Sequence, residues 1–194
     1  MNLPNKLTVF RIFLIPVFLL LVSVPMNLGS VNILNTLIPT SNLYATVVFV
    51  IACLTDFLDG QIARKNNLVT NFGKFADPMA DKLLVMTALV YLTSQNIAPF
   101  WVVVIIIARE LAVTGLRLLI VENNGKVLAA AWPGKIKTFT QMFAIIILML
   151  NNVLFNNMGI QMGLILLYIC LIFTVYSGYD YFKQNKSVFS DSFN

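Results

Sequence analysis

Long apolar runs separated by short polar connections dominate the chain. With a tolerance of several residues at each end, six such runs stand near residues 7–25, 42–59, 75–94, 98–120, 138–155 and 159–182. They approach or exceed the roughly 18 to 20 apolar residues that cross a hydrocarbon core, and they lack the alternation of a membrane barrel strand. A lipid-exposed backbone has to satisfy its own hydrogen bonds, so the pattern predicts an all-α polytopic membrane protein, six transmembrane helices in one bundle. The connections alternate in charge. Segments 23–42, 92–99 and 150–159 carry no charged residue, whereas the N-terminus, 60–74, 121–137 and the tail after 182 carry Lys6, Arg64, Lys65, Lys74, Lys126, Lys135, Lys137, Lys183 and Lys186. The positive-inside rule makes the second set cytoplasmic, and an even number of spans returns both termini to that side.

Composition agrees with a bilayer and with no soluble fold: 59% of residues are apolar and 11% charged, with a mean hydropathy of +0.85. No internal repeat, low-complexity segment or linker divides the chain, which predicts one membrane domain over residues 1–194 with a polar tail from about residue 184. The first run is not read as a cleaved leader, because Arg11 interrupts it and no small-x-small cleavage pattern follows. The net charge of +5 speaks to orientation and not to nucleic acid. Histidine is absent, so the commonest general base and any His-ligated zinc are excluded. Cys53 and Cys170 each lie inside an apolar run and are read as packing residues. Chemistry is left to carboxylates.

Four of the eight acidic residues fall in D-F-L-D-G-Q-I-A-R-K at 56–65 and G-K-F-A-D-P-M-A-D-K at 73–82. Asp56, Asp59 or Gly60, and Ala63 recur at helical spacing on one face, and Gly73, Asp77 and Asp81 repeat the design at intervals of four. Four carboxylates at a membrane edge repel one another and are costly to desolvate without counter-charge. An all-oxygen set favours hard cations, Mg²⁺ or Mn²⁺, and four Asp suffice to bridge two ions that would orient a diphosphate and neutralise its leaving group. The alternatives are helix capping, strongest for Asp77 before Pro78, pairing with Arg64, Lys65, Lys74 and Lys82, or a proton relay.

Residues 56–81 resemble the signature of the CDP-alcohol phosphotransferase family, D-x-x-D-G-x-x-A-R, eight residues, then G-x-x-x-D-x-x-x-D, at every fixed position. The resemblance implies that Asp56, Asp59, Asp77 and Asp81 hold two metal ions and that Asp81 also takes the acceptor's hydroxyl proton. It implies that Gly60, Ala63, Arg64 and Gly73 line the pocket for CDP-diacylglycerol. Thr70, six positions after the arginine, matches a small hydroxyl residue that contacts the nucleotide in relatives. The segment P-N-K-L-T-V-F-R at 4–11 is similar to family segments that touch cytidine diphosphate, which nominates Asn5 and Thr8; ordinary capping of the first helix is the alternative.

The acceptor is read from outside the signature. Arg109 stands about ten residues, or roughly 15 Å of helix, from the outer end of the fourth run, close to mid-bilayer. Glu110 is a partner for a cation, and Arg117 lies eight residues on, on nearly the same face. Lys135 and Lys137 begin the fifth run. With Arg109 and Arg117 they form a set suited to an acceptor phosphate; anchoring of helix ends or an Arg109–Glu110 bridge are the alternatives. The R-E pair and the G-K-I-K-T segment are similar to the phosphatidylglycerophosphate synthase branch of the family, which implies sn-glycerol 3-phosphate as acceptor, with inositol 1-phosphate and serine as rivals. Membrane lipids, a homodimer, a cell-membrane location and a site facing the cytoplasm follow from the same resemblance. Intramembrane prenyl transfer fits the carboxylate motifs and the span count less well. An ion-coupled transporter predicts an inverted repeat that the sequence lacks.

Overall fold

A computed structural model describes residues 3–24, 28–65, 71–122 and 132–185. Among these, the chain is mostly helical, with six α-helices: α1 (Leu3–Ser23), α2 (Thr40–Lys65), α3 (Asn71–Ser94), α4 (Phe100–Glu122), α5 (Trp132–Met149) and α6 (Met162–Gln184). Three are long and apolar enough to cross a membrane, at Asn5–Ser23, Thr40–Phe57 and Met162–Gln184. The others carry their charges in clusters: Asp77, Asp81 and Lys82 on α3, Arg109, Glu110 and Arg117 on α4, Lys135 and Lys137 on α5.

Helices α1, α2 and α3 pack together, as do α5 with α6 and α4 with α6. Small residues allow the close approach. Ala45, Ala52, Ala88 and Ala144 are fully buried beside Phe18, Phe49, Leu89 and Leu167, the composition expected where helices associate inside lipid. A β-carbon on Gly163 of α6 would sit 2.7 Å from the Leu148 side chain of α5, so any larger residue would displace that buried leucine at the crossing. Large apolar side chains such as Phe13 (65% exposed), Leu118 (62%) and Ile172 (66%) face outward, a surface that suits hydrocarbon and not water.

The sequence pattern predicts helices throughout, and two departures stand out. Between α1 and α2 lies an antiparallel hairpin, β1 (Ser30–Ile33) and β2 (Thr36–Pro39), with Ser30 opposite Pro39 and Ile33 opposite Thr36. Leu34 and Asn35 both take positive φ, 49° and 62°, the twist a two-residue hairpin turn requires. The fifth apolar run predicts helix to 155, but α5 ends at Met149 because Asn151 and Asn152 adopt left-handed conformations (φ 52° and 53°). Asparagine then fastens this end: Asn151 donates to the Leu37 carbonyl (2.9 Å), Asn156 to Thr36 Oγ1 (2.9 Å), and Asn152 Oδ1 accepts the Gly163 N–H (2.8 Å). The described charged side chains gather at the opposite end.

Candidate functional site

The site begins where α1, α2 and α3 meet. Asn5, Thr8 and Arg11 recur every three residues on α1 and are all buried, at 8%, 0% and 1% exposure, so one polar stripe of an otherwise apolar helix is turned inward. α1 starts at Leu3, which puts Thr8 inside the helix and away from any cap. Arg11 Nη1 lies 2.7 Å from Asp56 Oδ1 on α2. The Asp56 carboxylate and that of Asp81 on α3 are near enough to repel, while Arg11, Lys82 and Lys137 act on Asp81 with the opposite sign. Asp56 remains one-third exposed. These two hard-oxygen donors, on neighbouring helices and within each other's electrostatic reach, suit a divalent cation better than an apolar packing role.

Asp59, Gly60, Ala63 and Arg64 fall on the last turns of α2, and Gly73 and Asp77 on the first turns of α3. Asp77 therefore stands within a helix and not at its start. The side chains of these six residues, all expected at the site, and Thr70 altogether lie outside the described residues.

Beside Asp81, a cavity of about 210 Å³ opens between α3, α4, α5 and α6. Of the four predicted acceptor cations, Arg109, Arg117 and Lys137 line it; Lys135 is exposed and sits 5.5 Å over the Trp132 ring. Glu110 organises the wall. Its Oε1 is in direct contact with Lys137 Nζ and 3.4 Å from Arg109 Nη1, and its Oε2 is 3.4 Å from Lys82 Nζ. Lys82 also donates to Thr114 Oγ1, whose hydroxyl is held by the Glu110 carbonyl at 2.7 Å. Arg109 Nη2 reaches Ser177 Oγ on α6 at 2.9 Å. A narrower space of about 50 Å³ continues from Asp81, Glu110 and Lys137 into the apolar interior toward Leu89, Ile106 and Met142.

Several residues of the site carry no assignment from the sequence alone. Arg11 served only as an interruption of an apolar run, and Ser177, Asp180 and Tyr181 of α6 received no assignment, although all three line the cavity. The signal was present as spacing: Thr174, Ser177, Tyr181 and Gln184 mark one face of α6 at intervals of three and four. Arg117 lies 5.8 Å over the Tyr181 ring, which ties that face to α4.

Helices with a lipid-compatible exterior, three of them able to cross a membrane, and one cleft where carboxylates meet clustered cations define a membrane-embedded protein equipped for anionic ligands. Residues 1–176 match the model of the CDP-alcohol phosphatidyltransferase family, and the chain belongs to that family of enzymes. A Bacillus subtilis protein named CDP-diacylglycerol–glycerol-3-phosphate 3-phosphatidyltransferase is 47% identical over 184 residues, covering 95% of each chain. Proteins of the same name are 41% identical in Rickettsia bellii (97% of each chain) and 36% identical in Haemophilus influenzae (98% of this chain, 97% of that one).

Proposed function

We propose that the chain transfers the phosphatidyl group of CDP-diacylglycerol to sn-glycerol 3-phosphate, giving phosphatidylglycerophosphate and CMP. The observation that carries this function is the Asp81 carboxylate, within electrostatic reach of Asp56, on the wall of a cavity that Lys82, Arg109, Arg117 and Lys137 also line. A diphosphate needs the first and a phosphorylated acceptor the second, and the names of the relatives agree with both. Asp56, Asp59, Asp77 and Asp81 would hold two divalent cations, Mg²⁺ or Mn²⁺, which supply charge neutralisation at the diphosphate and at departing CMP. Asp81, shared between the carboxylate cluster and the cavity wall, removes the acceptor's hydroxyl proton. The acceptor oxygen bonds to the β-phosphorus, the bond from that phosphorus to the bridging oxygen breaks, and CMP leaves with the electron pair. Asn5, Thr8, Gly60, Ala63, Arg64, Thr70 and Gly73 bind the CDP portion. The lipid tails stay in the bilayer.

The full reading is one membrane domain of six spans in the cell membrane, both termini and the site on the cytoplasmic side, assembled as a homodimer. Its test is CMP release by the purified protein supplied with CDP-diacylglycerol, Mg²⁺ and either sn-glycerol 3-phosphate, inositol 1-phosphate or serine. Release with glycerol 3-phosphate alone is expected, and Asp81→Asn should lower it by at least about 10²–10⁴, the usual contribution of a general base. Release with another acceptor keeps the chemistry and overturns the acceptor. Release of pyrophosphate, or none of either product from folded protein, overturns the function.

A further inference from the structure

Four cations, Lys82, Arg109, Arg117 and Lys137, line the cavity with three carboxylates, Asp81, Glu110 and Asp180, so positive charge is in excess, and three of the four cations converge on Glu110. Glu110 is 8% exposed and is met by Lys82 from α3, Arg109 from α4 and Lys137 from α5. A bridge that only joined helices would need one cation, and three converging on one carboxylate repel each other. Two donors on the same wall, Arg109 Nε and the Tyr181 hydroxyl, are buried without a hydrogen-bond partner among the described residues, and both residues line the 210 Å³ cavity. Excess cation and unsatisfied donors together mark the place of a second anion.

We propose that Glu110 is an internal counter-anion that exchanges with the acceptor's phosphate: it holds Lys82 and Arg109 until a phosphate monoester takes them, and it keeps Lys137 throughout. This deepens the acceptor-site reading above and rests on it. The contacts to Lys82 and Arg109, 3.4 Å each, are longer than the about 2.7–2.9 Å of a strong charged hydrogen bond and are the ones to give way. Ser177 anchors Arg109 through Nη2 at 2.9 Å, so the guanidinium changes partner without leaving its place. The exchange is also a filter. A phosphate monoester carries nearly two negative charges at neutral pH and outcompetes a carboxylate, whereas a monoanion gains no charge by the exchange and a neutral polyol offers none.

The test is binding of inorganic phosphate, sn-glycerol 3-phosphate and acetate to the full chain in detergent, by calorimetric titration and by ligand-induced shift of the unfolding midpoint. Glu110→Gln removes the competitor, and phosphate is expected to bind about tenfold more tightly, equivalent to about 1.4 kcal/mol, while acetate, which binds poorly to the wild type, gains affinity. Glu110→Asp withdraws the carboxylate by one methylene; it keeps the charge that the fold needs and should tighten phosphate about two- to threefold, so it decides the matter where Glu110→Gln does not fold. Phosphate affinity unchanged or weakened in the folded variants overturns the exchange and leaves Glu110 as a tie between helices. The acceptor reading fails separately, on wild-type CMP release with an acceptor that lacks phosphate.

Discussion

At the scale of single residues, the wall of the cavity is set by what stands behind Arg109. Gly178 of α6 lies there, and a β-carbon added to it would come within 3.1 Å of Arg109 Cγ and 3.3 Å of Nε. Gly178→Ala therefore leaves every charge in place and displaces the guanidinium by a few tenths of an ångström. The expected result is a KM for glycerol 3-phosphate raised about fivefold, near 1 kcal/mol, with the KM for CDP-diacylglycerol unchanged; equal effects on both substrates would mean that the strain spreads through the bundle. This arrangement was only partly legible beforehand. Arg109, Arg117 and Lys137 stand out as charges in apolar runs, where their cost alone makes them candidates. Gly178 and Tyr181 do not, since glycine and tyrosine are ordinary in a membrane helix, and their meaning arises from what α4 brings opposite them. Lys135 is as conspicuous in sequence as Lys137, yet the two differ by about 200° around α5. One is buried against Glu110 and the other exposed over Trp132.

At the scale of elements, the helices follow from apolar length, and the ends do not. The carboxylate motif predicts neighbouring helices for 56–65 and 73–82, and α2 and α3 supply them. The hairpin escaped the hydropathy pattern because its strands hold four residues each and its turn is Leu34-Asn35, without the glycine that announces such turns. That turn is suboptimal chemistry, since leucine occupies a left-handed conformation that L-residues other than asparagine and aspartate avoid. The double change Leu34→Asn with Asn35→Gly should raise stability by about 0.5–1.5 kcal/mol, read as a higher unfolding midpoint, with CMP release unaltered. A lower midpoint would show that Leu34, 55% exposed, is held by lipid or detergent and not merely tolerated. The early end of α5 has a similar origin: the asparagines at 151, 152 and 156 spend their side chains on the Leu37 carbonyl, the Gly163 N–H and the Thr36 hydroxyl, contacts with the hairpin and with α6 that apolar length does not announce.

For the molecule as a whole, the two ends divide the labour. One end is closed by uncharged hydrogen bonds, among them the Tyr91 hydroxyl to Asn42 Oδ1 at 2.5 Å, and the other holds the carboxylates and cations. Helices α3, α4 and α5 carry charge within their length, yet four of those charges turn inward: the side chains of Lys82, Arg109, Glu110 and Lys137 are 23%, 17%, 11% and 6% exposed. Inward-facing charge is the arrangement that lets a helix remain in a bilayer. With 24 and 23 residues, α3 and α4 also measure about 35 Å, enough to cross the roughly 30 Å core. With α5 at 18 residues, about 27 Å and close to that thickness, all six helices are expected to span, and position 96 separates this from a three-span arrangement. With Cys53 and Cys170 replaced by alanine, single cysteines at Leu34, Asn96 and Lys135 are to be labelled in cells with a membrane-impermeant maleimide. Six spans place Leu34→Cys and Asn96→Cys outside, labelled in intact cells, and Lys135→Cys inside, labelled only after permeabilisation. If α1, α2 and α6 alone crossed, Asn96→Cys would behave like Lys135→Cys, and α3, α4 and α5 would lie against the inner surface instead of completing the bundle.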